Sequence, residues 1–211
     1  MKTSIPFFRR FQTKVTLVII TALLFTGALS NFLIYKYTLT FQFNDLRNKL
    51  MIIAQTASLM IDADTLVQIP LSREGMNTEQ YKIVARQLKE IKKVNSPIRY
   101  IYILRKTDTK GVWQFVVDPE PGMDRTSRRW ATAYPGDTYN AGRFPEMLKA
   151  FNGPSADKKL EVDEWGGTLS GYAPVRDKEG RVAAILGVDV TASTVYQIQK
   201  AVRARSLLVL L

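Results

Sequence analysis

The sequence predicts an α+β domain held behind a long N-terminal helix, and three features of it do so. Residues 15–35 carry no charge. From Leu39 to Met60 apolar side chains recur at helical spacing. From Arg99 onward the pattern changes to short runs of β-branched and aromatic residues divided by turn residues, which reads as an antiparallel sheet. The 211 residues, 46% of them hydrophobic, suffice for one folded domain plus a membrane segment.

The run VTLVIITALLFTGALSNFLIY, Val15 to Tyr35, predicts the transmembrane helix. A helix rises about 1.5 Å per residue, so about 20 residues cross a hydrocarbon core of roughly 30 Å. Backbone groups in lipid must bond to one another, so the run is expected to be helical. Thr16, Thr21, Thr26 and Ser30 are tolerated there because their hydroxyls can return to helix carbonyls. Residues 1–14 hold Lys2, Arg9, Arg10 and Lys14 and no acid, which predicts a cytoplasmic N-terminus with the rest of the chain outside the inner membrane. A cleaved signal peptide is the alternative, and its apolar core of about 7–15 residues is shorter than this one.

Leu39, Phe43, Leu46, Leu50, Ile53, Ala57 and Met60 form a heptad-like stripe, with Asn44, Asp45, Arg47, Asn48, Lys49 and Gln55 opposite. This predicts an amphipathic helix whose stripe packs on its own domain or pairs with a second copy as a homodimer. Residues 62–77 read as turns around Pro70 and Gly75. Thr78 is a cap for a helix with Tyr81, Val84, Leu88 and Ile91 on one face, ending before Pro97. Five strands follow: Arg99–Lys106, Val112–Asp118, Lys159–Asp163, Thr168–Val175 and Arg181–Val190. Turns at Asp108–Gly111 and Asp177–Gly180 make hairpins. Between them lie a long loop, Pro119–Gly142, and a short helix at Glu146–Phe151. Thr191 starts a final helix carrying Val195, Ile198 and Val202. Residues 201–211, ending in Ser206-Leu-Leu-Val-Leu-Leu211, are expected to begin a second membrane helix.

Composition removes several chemistries. The chain has no Cys and no His, which excludes Ser-His-Asp and Cys-His catalysis and zinc sites built on those ligands. No metal or other cofactor is expected. The net charge of +11 comes partly from the N-terminal cluster, and no basic stripe interleaves with aromatics, so no nucleic-acid partner is expected. Glu161 and Asp163 share a strand face about 6.6 Å apart, within glycosidase range. The lysines beside them read instead as a charged edge strand.

In their order and spacing several motifs resemble a single Cache domain, the PAS-like extracytoplasmic sensor of bacterial receptors. They are Ile61-Asp-Ala-Asp64-Thr-Leu66, Tyr100-Ile-Tyr102, Phe115-Val-Val-Asp118, Asp163-Glu-Trp165-Gly166-Gly167, Gly171-Tyr-Ala-Pro174-Val-Arg-Asp177 and Gly187-Val-Asp189-Val. The resemblance covers about residues 36–200. It implies a PAS-like five-stranded sheet with flanking helices that holds a small molecule, a carboxylate or an amine, between sheet and loops. It implies no catalysis in this region, and an output module of the histidine kinase, nucleotide cyclase or chemotaxis type in the receptor. A tethered envelope scaffold without a small ligand, or an envelope hydrolase, are the other functions weighed.

The candidate ligand-binding residues follow from position. Tyr100 and Tyr102 alternate onto one face of the first strand. Asp118 ends the second strand, where it faces a ligand amine or caps the Pro119 turn. In the loop, Arg125, Arg128 and Arg129 offer planar forks for a carboxylate, and Trp130, Tyr134 and Tyr139 suit a lid or inner wall. Trp165 stands beside Gly166-Gly167 before the fourth strand, and Tyr172 lies within that strand. Asp189 interrupts the apolar strand AAILGVDV, where a charge is costly unless paired. It is expected either to touch ligand or to cap the exit helix.

Overall fold

The computed structural model describes residues 11–120, 133–163 and 166–208. The chain divides into two compact units, one of residues 43–197 and the other of residues 1–42 with 198–211. Helix α1, Phe11–Leu59, is continuous: the apolar run and the amphipathic stripe are one element. It is long and apolar enough to cross a membrane. Val18, Leu23, Leu24 and Phe25 on it are each more than half exposed, as the side chains of a lipid-facing helix are.

Within residues 43–197, α1 is followed by α2 (Ala63–Val67), a 3-10 turn (Arg73–Asn77) and α3 (Glu79–Val94). The sequence read 62–77 as turns only. The Asp62 side chain, accepting the Thr65 amide at 2.8 Å, is the cap that starts α2. Thr78 caps α3 as expected, and Tyr81, Val84, Leu88 and Ile91 are all buried.

Next come β1 (Tyr100–Lys106), β2 (Val112–Val117), β3 (Thr138–Asn140), α4 (Pro145–Lys149), β4 (Ser155–Ala156), β5 (Glu161–Asp163), β6 (Gly166–Arg176), β7 (Val182–Thr191) and α5 (Ala192–Leu208). The strands make one antiparallel sheet in the order β3-β2-β1-β7-β6-β4, with β5 also on β6. The five expected strands are present. Two short ones, β3 and β4, join them from stretches read as loop, because their pairing to β2 and β6 defines them. The hairpins turn at Gly111 and Gly180, whose positive φ values of 77° and 81° suit glycine.

The sheet divides the core. On one face Ile101, Ile103, Leu169, Leu186 and Val188 pack under Leu50, Ala54, Ala57, Leu66, Val84 and Leu88 of α1, α2 and α3. From Phe43 to Ala57 the α1 stripe therefore packs on the domain, while Met60 lies past the helix end and is 57% exposed. Leu50 meets the sheet where β6 has no side chain: a Cβ on Gly171 would lie 2.5 Å from the Leu50 backbone carbon. On the other face Tyr102, Trp113, Phe115, Tyr139, Phe144, Met147 and Tyr172 form a second, aromatic cluster.

Candidate functional site

The aromatic face carries most of the described candidates, and strand register explains how. In one row across β1, β7 and β6 stand Tyr100, Asp189 and Ser170; in the next stand Tyr102, Gly187 and Tyr172. Neighbouring strands lie about 4.8 Å apart, so Asp189 has a tyrosine or serine on either side and a tyrosine on each diagonal. The side chain missing at Gly187 gives Tyr102 its course. A Cβ there would sit 2.5 Å from the Tyr102 ring, which lies over the glycine and donates its hydroxyl to Asp189 Oδ1 at 3.2 Å.

A second carboxyl meets the first from the sheet edge. Asp157, directly after β4, accepts the Ser170 amide at 3.0 Å and the Tyr172 hydroxyl at 3.3 Å on Oδ2. Ser170 stands directly opposite Asp189 in the strand register, so its hydroxyl lies on the same face between the two carboxyls. A polar chain therefore runs Tyr102, Asp189, Ser170, Asp157, Tyr172, and every member is buried. Asp163 on β5 extends the cluster, accepting the Tyr139 hydroxyl at 3.0 Å and the Gly166 amide at 3.1 Å. Phe115 meets Tyr102 and Tyr139 edge-on, each with ring centres 5.8 Å apart, and Phe144 stacks on Tyr139 at 5.5 Å.

Among the described residues no Lys or Arg forms an ion pair with Asp157 or Asp189. Burial, reinforced by Asp157 and Asp163 nearby, pushes the Asp189 carboxyl well above the usual carboxylate range. Burial likewise raises Asp157 to about 7, against the opposing pull of its Ser170 amide bond. Asp157 is therefore near its midpoint at neutral pH, and the upward shift of Asp189 favours the protonated form, which can donate a proton. Among the described residues no cation pairs with the two acids of this patch. An entering ammonium would supply donors and favour ionisation, whereas an entering carboxylate would meet acids and acceptors.

The remaining candidates lie as follows. Tyr139 is buried in the wall of the cluster, as expected, and Tyr100 is half-buried at its rim with Arg99 over its ring at 5.5 Å. Asp118 takes its turn-forming alternative: Oδ1 accepts the Glu120 amide at 3.0 Å. Burial raises it to about 6. Asp189 does not cap the exit helix. Thr191 does so, taking the Thr194 amide on its hydroxyl at 3.3 Å, because the Asp189 side chain points to the sheet face. Arg129, Trp130 and Trp165 lie outside the described residues, as do Arg125 and Arg128. Asp137 forms a turn beside Gly136, accepting the Tyr134 amide at 2.8 Å. Asp157 and Ser170 had no signal in the sequence, since Asp157 stands before two lysines and resembles a solvated turn. Glu161 and Asp163 do share a face, but Asp163 is bound by Tyr139 and Gly166, an arrangement that holds the sheet edge.

No family model matches the chain, and no curated protein does. Solved structures do. The ligand-binding domain of the Campylobacter jejuni chemoreceptor Tlp3 in complex with L-valine is similar with a TM-score of 0.54 at 14% identity, over 85% of this chain and 65% of that one. The sensor domain of the V. cholerae histidine kinase DctB has a TM-score of 0.54 at 15% identity, over 83% and 59%. The Tlp3 sensory domain with isoleucine bound has a TM-score of 0.53 at 13% identity, over 85% and 65%. The chain thus spans about three fifths to two thirds of the length of these structures. At such identities the likeness is one of fold alone, to sensor and ligand-binding domains of chemoreceptors and a histidine kinase.

Proposed function

We propose that this chain is the ligand-sensing part of a membrane-anchored signal-transduction receptor, and that its ligand is a small ammonium-bearing molecule bound at the Asp189 face of the sheet. One observation carries the proposal: Asp189 and Asp157 are buried side by side among tyrosine and serine hydroxyls, with no described cation paired to either. Two buried acids without a counter-charge are costly to hold in their ionised form. A cationic ligand removes that cost by its own binding. The sensor-domain fold supports the reading, as does the valine in the Tlp3 structure, an amino acid.

The anchor is residues 15–35, with the cationic residues 1–14 in the cytoplasm, residues 36–200 as the sensor domain in the periplasm or outside the cell, and residues 201–211 entering a second span. The homodimer contact runs along the 39–60 helix. There Ile52 and Met60 are more than half exposed beside an apolar groove of about 540 Å³, which Ile53, Ile91 and Val94 also line. Ligand would shift a two-state equilibrium in proportion to its differential affinity for the states. A thermal-shift screen of the whole chain in detergent, against amines, amino acids and small dicarboxylates, tests the binding claim. An ammonium compound should raise the melting temperature of the wild type and not of Asp189→Asn. Stabilisation of both alike, or by dicarboxylates alone, would refute the assignment of the ligand and its site.

A further inference from the structure

Asp157 joins the candidate site to α1 by its two ends. Its carboxylate belongs to the sheet face, held by Ser170 and Tyr172. Its main-chain carbonyl accepts Nε of Arg47, a residue of α1, while the Ala156 carbonyl beside it accepts Arg47 Nη2 at 3.1 Å. One guanidinium fork thus spans two consecutive carbonyls across 110 residues of sequence. The same helix is fixed to the opposite side of β6 by the Leu50 backbone against Gly171. Gly171 stands between Ser170 and Tyr172, the two residues that hold the Asp157 carboxylate.

The two attachments differ in kind. The Gly171 contact is steric, backbone on backbone, and changes only if α1 moves as a body. The Arg47 contact is polar and directional, so a small rotation of residues 156–157 weakens it. β4 is only two residues long and pairs with Tyr172 and Gly171, with the Asp157 amide donating to the Ser170 carbonyl at 2.9 Å as its last tie, so few backbone bonds resist such a rotation. Drawing the Asp157 carboxyl off Ser170 and Tyr172 turns its peptide, and that peptide carries the carbonyl Arg47 holds.

We propose that Arg47 is the residue through which the state of the Asp157 side chain is passed to α1, making the β4 edge an output of the site. The proposal rests on the sensor reading only for what triggers it; the mechanical link stands on the Arg47, Ala156 and Asp157 contacts.

The test therefore adds no ligand. Hydrogen exchange is measured across amides 44–54 in the whole chain in detergent micelles, for the wild type, Asp157→Ala, Arg47→Met and the double variant. The link predicts that Asp157→Ala speeds exchange in this segment about tenfold when Arg47 is present and less than twofold when Met replaces it. Equal acceleration in both backgrounds, or none in either, overturns it. If Asp157→Ala does not fold, Asp157→Asn carries the same comparison: a smaller effect in the Arg47→Met background supports the link, and equal effects overturn it. Additivity here would leave the ligand proposal standing, and a failed ligand screen would leave this link standing.

Discussion

Replacing Asp157 by Asn keeps its shape and removes its proton equilibrium, which makes the variant a probe of the buried acid cluster. In the unfolded chain an aspartate titrates near about 3.9; in the fold Asp157 titrates at about 7, chiefly through burial. Between those values the folded protein keeps a proton that the unfolded chain has lost. Stability must then fall as pH rises, by about 1.4 kcal/mol per pH unit for each such proton, and the loss is complete above the folded value. The full shift of about 3 units corresponds to about 4 kcal/mol as an upper bound. Asp189 is raised as well and belongs to the same hydroxyl-linked cluster, so the measured curve reports the pair. Asp118, raised to about 6, contributes equally to wild type and variant. The assay is urea unfolding of the detergent-solubilised chain at intervals from pH 4.5 to 7.5. Fluorescence reports it, since Trp113 is only 1% exposed. The wild type should lose stability from pH 5 to 7, and Asp157→Asn should lose it less steeply by about one proton's worth. Parallel curves, or a wild type that gains stability over this window, would refute the assignment of a protonated cluster.

Further outcomes follow from the packing. Gly171→Ala places a Cβ 2.5 Å from Leu50 backbone. It should cost about 1–3 kcal/mol in unfolding experiments, because a helix cannot yield as a side chain can. Gly187→Ala instead meets the Tyr102 ring, which can swing aside; unfolding should change by less than for Gly171→Ala, while calorimetry should record at least a tenfold loss of ammonium-ligand affinity. Thr78→Ala removes the oxygen that accepts the Tyr81 amide and should destabilise the domain by about 1 kcal/mol in the same urea assay.

Much of this architecture was legible where local chemistry and tertiary need agreed. The α3 helix announced itself because a capping threonine preceded four apolar residues at helical spacing, and all four are buried. The two hairpins were legible because Gly111 and Gly180 stood between alternating runs and the backbone there requires positive φ. Tyr100 and Tyr102 were found together because period-two alternation puts them on one face, and Asp189 because a charge interrupts an apolar strand; only the register brings the three into neighbouring rows. What escaped was set by partners distant in sequence. β4 is two residues whose strand character exists only beside β6, so Asp157 looked like part of a charged turn. Ser170 is small and polar in an apolar strand, and only its register opposite Asp189 gives it a role. In α1, Ala54 and Ser58 are buried although the apolar stripe passed over them, because small residues at a close helix–sheet contact carry little hydrophobic signal.

The claim on which the rest depends is that the acid-and-tyrosine face binds a small ammonium ligand. Calorimetric titration of the best compound from the thermal screen into wild type and Tyr102→Phe addresses it most directly, because that substitution removes only the hydroxyl donated to Asp189. Saturable one-site binding to the wild type, weakened at least fivefold in the variant, is the expected result. Equal affinity for both proteins would contradict the account and move the ligand elsewhere.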